Sequence, residues 1–452
     1  MLQRKLHCLL VSLIFLFIFS LNAQDQVLVR MDISHKISEA NLPVYACLQD
    51  LSGKEYVLVI ETLTNLEKSK RSYQILDFIS KKLKEETYFL ALNKKEEGRK
   101  KAGLFVTILH DDGKQLVVRA KPEDAESLCM FGFEIAELGN EPMIFAESKP
   151  ESTRVEYHPA IEQIIGAVQK ETLFQYTGNL SGENAVTIGG NSYKIVSRYT
   201  KSGEPIAKAT QYVSEFMEKQ GASVSYHDWS NWGTSGRNVI GQKKGSTKPE
   251  EIVLITAHLD SMPSSSTNSP GADDNGSGSA AVMLACQIFS KYKFERTLRF
   301  VFFTGEEQGL YGSKAYADKV YQAGDKIVAV YNMDMIAWDT IGLPTLRIHT
   351  RTTSSSGYQA DKAIADIFAN IVSTYKLNLT TIIDPDGIAY SDHASLWKKG
   401  YPGVLAIEDD EDDFCGNYHT SRDKLATLNM DYFTQYVKAS LATAAHLAVP
   451  KN

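Results

Sequence analysis

Ile252-Val253-Leu254-Ile255-Thr256, then Gly278 to Tyr292, then Leu298 to Phe303: these three stretches decide how most of this 452-residue chain folds. The outer two are short runs of aliphatic, β-branched and aromatic residues, as in strands buried on both faces. The alanines, leucine and isoleucine between them suit a buried helix. Val328 to Met333 and Val404 to Ile407 repeat the strand pattern, and Thr353 to Lys376 repeats the helical one. Strands alternating with helices predict an α/β fold, a sheet covered by helices on both faces. In open sheets of this kind ligands bind beyond the carboxyl ends of the strands. His258 follows the first strand, Glu306 and Glu307 the second, and Asp334 directly follows the third, so all point to one rim.

The residue types at that rim are those of a metal site. His258, Asp274, Glu307, Asp334 and His419 offer imidazole nitrogens and carboxylate oxygens, a donor set that suits two zinc ions and reads as a two-metal hydrolytic centre. Two ions held close together need a shared ligand, usually a carboxylate. Asp273 and Asp274 are both candidates for it, in a glycine-flanked turn before a helix; alone, such a turn is ordinary capping chemistry. Glu306 and Glu307 are adjacent in a second glycine-flanked turn, Gly305 to Gly309. Neighbouring side chains do not easily share a coordination position, so one can ligate while the other acts as a base towards water. Asp260, two residues beyond His258, is placed to hold the second nitrogen of that imidazole. Ser391-Asp392-His393 is read as a hydrogen-bonded structural cluster, and His35, His110, His158, His227, His349 and His446 as ordinary histidines.

The rest of the chain sets the context. Arg4 and Lys5 precede the apolar run Leu9 to Leu21, and Ala23 closes it, the layout of a signal peptide over residues 1–23. Its removal takes two basic residues and moves the net charge from -7 to -9. Nucleic acid is therefore excluded as a partner, and no membrane association is expected after cleavage. A secreted or periplasmic location follows. Residues 24–150 carry short alternating apolar segments, Val27 to Met31, Tyr56 to Ile60 and Leu104 to Ile108, with one lysine-rich helical stretch. They predict a small β-rich α+β domain, a structural part or a pro-region, before a catalytic domain at 151–452. Cys47, Cys129, Cys286 and Cys415 form no Cys-x-x-Cys pair, which argues against thiolate zinc sites; export would permit a Cys47–Cys129 bridge without requiring it.

The motifs Ala257-His258-Leu259-Asp260-Ser261, Gly271 to Gly278, Thr304 to Gly309, Asn332-Met333-Asp334-Met335 and Asn417-Tyr418-His419-Thr420 resemble those of the co-catalytic di-zinc aminopeptidases. This family is the secreted bacterial leucyl aminopeptidase type, with glutaminyl cyclase and glutamate carboxypeptidase among its wider relatives. The resemblance covers about Arg154 to His446. It implies a mostly parallel, eight-stranded mixed sheet between helices. It also implies that Asp274 bridges, that His258 and Asp334 hold one zinc, that Glu307 and His419 hold the other, and that Glu306 is the general base. Tyr418 matches a tyrosine that stabilises the oxyanion; other members place it before the Ser-Asp-His segment, where this chain has Ile388.

Peptides are then the expected substrates, cleaved at the amino terminus. A glutaminyl cyclase and a carboxypeptidase or dipeptidase are the alternatives on the same scaffold, the latter needing a cation such as Arg351 for a substrate carboxylate. A binding protein that has lost its site does not fit a complete ligand set. Neither Gly-x-Ser-x-Gly nor His-Glu-x-x-His occurs, which excludes the serine hydrolase and metalloprotease types those motifs mark. The acidic run Glu408 to Asp413 is read as a solvated loop, as a Ca2+ site, or as a lure for cationic groups of the substrate.

Overall fold

The structure is a computed structural model that describes residues 26–33, 42–79, 85–93, 96–146 and 148–451. The run read as a signal peptide, residues 1–23, and His35 lie outside the described residues. Ile252 to Thr256 forms the centre of the strand Lys248–His258, whose interior residues are fully buried. Parallel neighbours flank it on both sides, Arg296–Phe303 and Lys326–Met333, and Gly403–Glu408 continues the parallel set beyond the latter. Near-continuous apolar runs form such strands because helices cover both faces of a parallel sheet.

Eight strands make up this sheet. On one edge the hairpin of Ser223–Asn231 and Thr234–Lys243 adds antiparallel to Arg296–Phe303. On the other edge Thr345–His349 runs antiparallel to Gly403–Glu408 and parallel to Thr380–Asp384. The expected mixed α/β architecture is therefore present. The helix Gly276–Phe289 is buried along its whole length apart from Gln287, and packs between the sheet and the helices Pro159–Ala167, Lys170–Leu180 and Met430–Ala448. A helix that is apolar all round belongs in such an interior. Tyr358–Thr374 supplies the second helix expected from the pattern.

Two four-stranded antiparallel sheets precede this unit. One orders Val44–Gln49, Glu55–Thr62, Gln26–Asp32 and Gln74–Phe78. The other orders Thr107–Asp111, Gln115–Ala120, Thr87–Asn93 and Phe133–Glu137. The strand expected at Leu104 to Ile108 is displaced: Ala102–Leu104 is a 3-10 turn and the strand begins at Thr107. Leu104 and Phe105, the exposed start of that run, lie in or beside the 3-10 turn, while Ile108 enters the strand although it too is exposed. Cys47 and Cys129 are separate buried thiols; Cys47 Sγ lies 3.7 Å from Met143 Sδ. Among the described residues no helix is long and apolar enough to cross a membrane.

Candidate metal centre

His258 is the last residue of its strand, and Asp334 directly follows the parallel strand beside it. Their side chains meet at the rim, with His258 Nε2 3.1 Å from Asp334 Oδ1. Asp274 enters from the loop that starts the helix Gly276–Phe289. Its Oδ1 lies 3.2 Å from His258 Nε2, while its Oδ2 lies 3.3 Å from His419 Nε2. Glu307 completes the second half, its Oε2 2.8 Å from His419 Nε2. The turn that carries Glu306 and Glu307 needs glycine at its start. Gly305 has φ +76, and a Cβ there would sit 2.4 Å from the Trp229 indole.

These side chains form two donor groups, His258 with Asp274 and Asp334, and Asp274 with Glu307 and His419; within each the ligating atoms lie within 4.8 Å of one another. Asp274 is common to both. Asp273, the other candidate for that role, points elsewhere: its Oδ1 accepts from the Ala337 N–H at 3.0 Å. All the donors are buried, and among the described residues no lysine or arginine pairs with the carboxylates of Asp274, Glu306, Glu307 or Asp334. Four buried acids need positive charge, and among the described residues the direct ion-pair contacts to them come from two imidazoles. Burial raises Glu306 well above the usual carboxylate range; Asp334 and Glu307 push the same way and His258 opposes them. Burial and the Asp274 charge lift Glu307 to about 7. Burial would raise Asp274 as well, but the two imidazoles hold it below its ordinary value. Glu307 Oε1 is buried without a hydrogen-bond partner. An orphaned carboxylate oxygen beside paired imidazole nitrogens fits divalent metal, since coordination would satisfy both.

The groups behind these ligands fix their orientation. His258 Nδ1–H donates to the Asp260 carbonyl at 3.1 Å, which leaves Nε2 free for metal. The Asp260 carboxylate is 3.7 Å from the same nitrogen and is chiefly engaged elsewhere. It accepts from Thr200 Oγ1 at 2.8 Å and from the Gly305 N–H at 2.9 Å, and so shapes the Glu306–Glu307 turn. Ser391 Oγ donates to Asp334 Oδ2 at 2.6 Å and His393 Nε2 donates to the Ile388 carbonyl at 2.8 Å, whereas both Asp392 carboxylate oxygens are buried without a hydrogen-bond partner; none of the three belongs to either donor group. Two residues had no sequence signal. Asp423 accepts the N–H groups of Asp273 and Asp274 at 2.9 and 3.0 Å. Arg198, fully buried, donates to the carbonyls of Leu180, Leu259, Pro270 and Gly271 and ties down the loop between His258 and Asp274.

Tyr418 is buried with its ring stacked on His419, centroids 3.6 Å apart. The acidic run beside it is not solvated throughout. Asp409, Glu411 and Asp412 pair with Arg347 at 2.7, 3.2 and 3.0 Å, and Asp410 meets His349 Nε2 at 3.1 Å. Arg347 thus supplies the charge that a calcium ion would bring. His349, read as ordinary, lies between Asp386 and Asp410, a setting that only the juxtaposition of distant strands creates. Arg351 is bound to Asp361 at 2.6 and 2.7 Å and is committed to that buried pair.

With this geometry in view, three comparisons bear on identity. Residues 238–444 match the sequence profile described as "Peptidase family M28". A "Probable leucine aminopeptidase" of Trichophyton verrucosum (strain HKI 0517) is 28% identical over 287 residues, 61% of this chain and 75% of the relative. The fold is that of the Legionella pneumophila LapA aminopeptidase, with a TM-score of 0.61 at 19% identity over 81% of this chain and 99% of that one. The zinc aminopeptidase BSAP from Bacillus subtilis superposes with a TM-score of 0.52 at 14% identity, over 62% and 96% of the two chains. Residues 238–444 thus carry the profile of peptidase family M28, and together with the leucine aminopeptidase relatives this match supports a co-catalytic zinc aminopeptidase family and a metallo-exopeptidase.

Proposed function

We propose that this chain is an exported aminopeptidase that uses two zinc ions to remove residues from the free amino terminus of peptides. One observation carries the reading: each oxygen of Asp274 faces a different imidazole, and each imidazole faces a further carboxylate. His258 and Asp334 would hold one ion, Glu307 and His419 the other, and Asp274 both. When bound, zinc supplies Lewis acidity, making water more acidic and polarising a carbonyl. The chain's residues do the remaining work. Glu306 is buried beside the ligands yet belongs to neither donor group, so its carboxylate is available to take the proton of the attacking water and return it to the leaving amine. Tyr418 would stabilise the oxyanion of the scissile amide by a hydrogen bond from its hydroxyl, which keeps its proton.

The curated relatives are leucine aminopeptidases by name, which supports an exopeptidase acting on apolar amino-terminal residues over the cyclase alternative. The commitment of Arg351 to Asp361 removes the cation that a carboxypeptidase reading drew on. Residues 1–23 would direct export and be cleaved; residues 24–150 would form a separate β-rich domain and 151–452 the catalytic one. Amino-terminal sequencing of the exported protein checks the first point. Glu306→Gln should keep both metals and lose about 10²-fold or more in kcat on an aminoacyl substrate with a free amino group. Turnover near the parent level would remove Glu306 from the mechanism.

A further inference from the structure

The two donor groups are supported from different parts of the chain. His258 donates its outer hydrogen bond to the Asp260 carbonyl, two residues away, and Asp334 accepts its own from Ser391. The other group reaches across to the N-terminal region. His419 Nδ1–H donates to the carbonyl of Cys129 at 3.0 Å, a residue 290 positions earlier. Cys129 ends the helix Pro122–Cys129, so this is a carbonyl at the negative end of a helix dipole, aimed at a ligand histidine. The same turn touches the other ligand of that group: Cys129 Sγ lies 3.6 Å from the Glu307 carbonyl oxygen. One turn earlier on the buried side of the helix, Glu126 accepts from Gln308 Nε2 at 3.2 Å and from Tyr199 Oη at 2.9 Å, and pairs with Lys201. Ala125, Leu128 and Cys129 also share a buried apolar cluster with Met262. The helix end is thus held against the rim by both packing and polar contacts.

We infer that the N-terminal β-rich region is a working part of the metal centre: the Cys129 carbonyl orients His419 and so sets the affinity of the Glu307–His419 position, leaving the His258–Asp334 position untouched. A ligating histidine needs its second nitrogen held, or its ring and tautomer are free to change. His419 has the greater need because its backbone is in the left-handed region at φ 54, which a non-glycine residue keeps only when its surroundings impose it. A pro-region that leaves would take this support with it. The N-terminal region is therefore a permanent component of the loaded enzyme.

The inference rests on the two-zinc reading, and zinc titration of the full-length chain separates them. Metal-free protein is titrated with zinc against a chromophoric chelator, with thermal melting by circular dichroism to confirm folding. The parent chain should bind two equivalents; one equivalent or none would count against the two-zinc reading itself. Glu126→Ala cuts the three polar anchors of the helix. Gly132→Val strains the turn at φ 82, whose N–H donates to the Cys129 carbonyl at 3.0 Å. Each variant should keep one equivalent at parent affinity and weaken the other by about 10- to 100-fold. Glu123→Ala, on the exposed face of the same helix, should keep both. Should either variant fail to fold, Glu126→Gln carries the test. Two tight equivalents in the folded variants, or an equal loss at both positions, would overturn the inference.

Discussion

At the scale of single residues, Asp274 is the proposed ligand whose loss should be felt twice. Both its oxygens face imidazoles, at 3.2 and 3.3 Å, whereas Asp334 meets only His258 and Glu307 only His419. Asp274→Ala should abolish tight binding of both zinc equivalents, while Asp334→Ala should keep one; elemental analysis after dialysis distinguishes these outcomes. Equal loss in the two variants would mean that Asp274 does not bridge. The residue types at this site were legible in the sequence because metal chemistry demands particular side chains. The choice of Asp274 over Asp273 came from the family resemblance, and the structure adds a geometric reason: Asp274 lies in both donor groups and Asp273 in neither, its Oδ1 turned to the Ala337 N–H.

At the scale of elements, the start of the helix Gly276–Phe289 couples folding to the site. Asn275 caps it, with Oδ1 accepting from the Gly278 N–H at 2.9 Å while Nδ2 donates to the Met333 carbonyl at 2.9 Å. One side chain therefore joins the Asp274 loop to the strand end that carries Asp334. Asn275→Ala should cost about 1–2 kcal/mol of stability in denaturant titrations and weaken zinc binding measurably. A purely local cap would leave the metal affinity alone. The four parallel strands and this helix could be read from their apolar runs. The edge strand Ser223–Asn231 could not, because most of its residues are exposed or half-buried and it bears no apolar run. Arg198 was hidden for another reason: its partners are backbone carbonyls, which leave no trace in side-chain identity.

At the scale of the whole molecule, a buried charge cluster ties strands and regions together. His349 lies 3.1 Å from both Asp386 and Asp410, and Lys114 of the N-terminal region pairs with Asp386 at 2.7 Å. Burial would lower His349, but the two carboxylates push it up to about 10; Asp386 is held below its ordinary value, chiefly by that imidazole against the effect of burial. A raised histidine stabilises the fold fully below its unfolded value of 6.5, and this contribution is lost as pH rises through about 10. The lowered aspartate acts in the opposite sense, its contribution fading as pH falls through 3.8 and below. The cluster is therefore strongest in mildly acidic solution. Melting temperatures of the zinc-loaded protein should fall between pH 6.5 and 10, and His349→Gln should flatten that slope. An unchanged slope would show that His349 is not charged in the fold.

The sequence by itself determined the four parallel strands, the rim and the candidate donors, because buried strands need apolar runs and metal needs histidine and carboxylate near the strand ends. Only the tertiary structure decided which oxygen faces which imidazole and that Arg347 sits among the acids of the 408–413 run. It alone brought the Cys129 carbonyl to His419 across 290 residues. Those are relations between distant backbone and side-chain atoms, set by packing geometry, and no local pattern of residues encodes them.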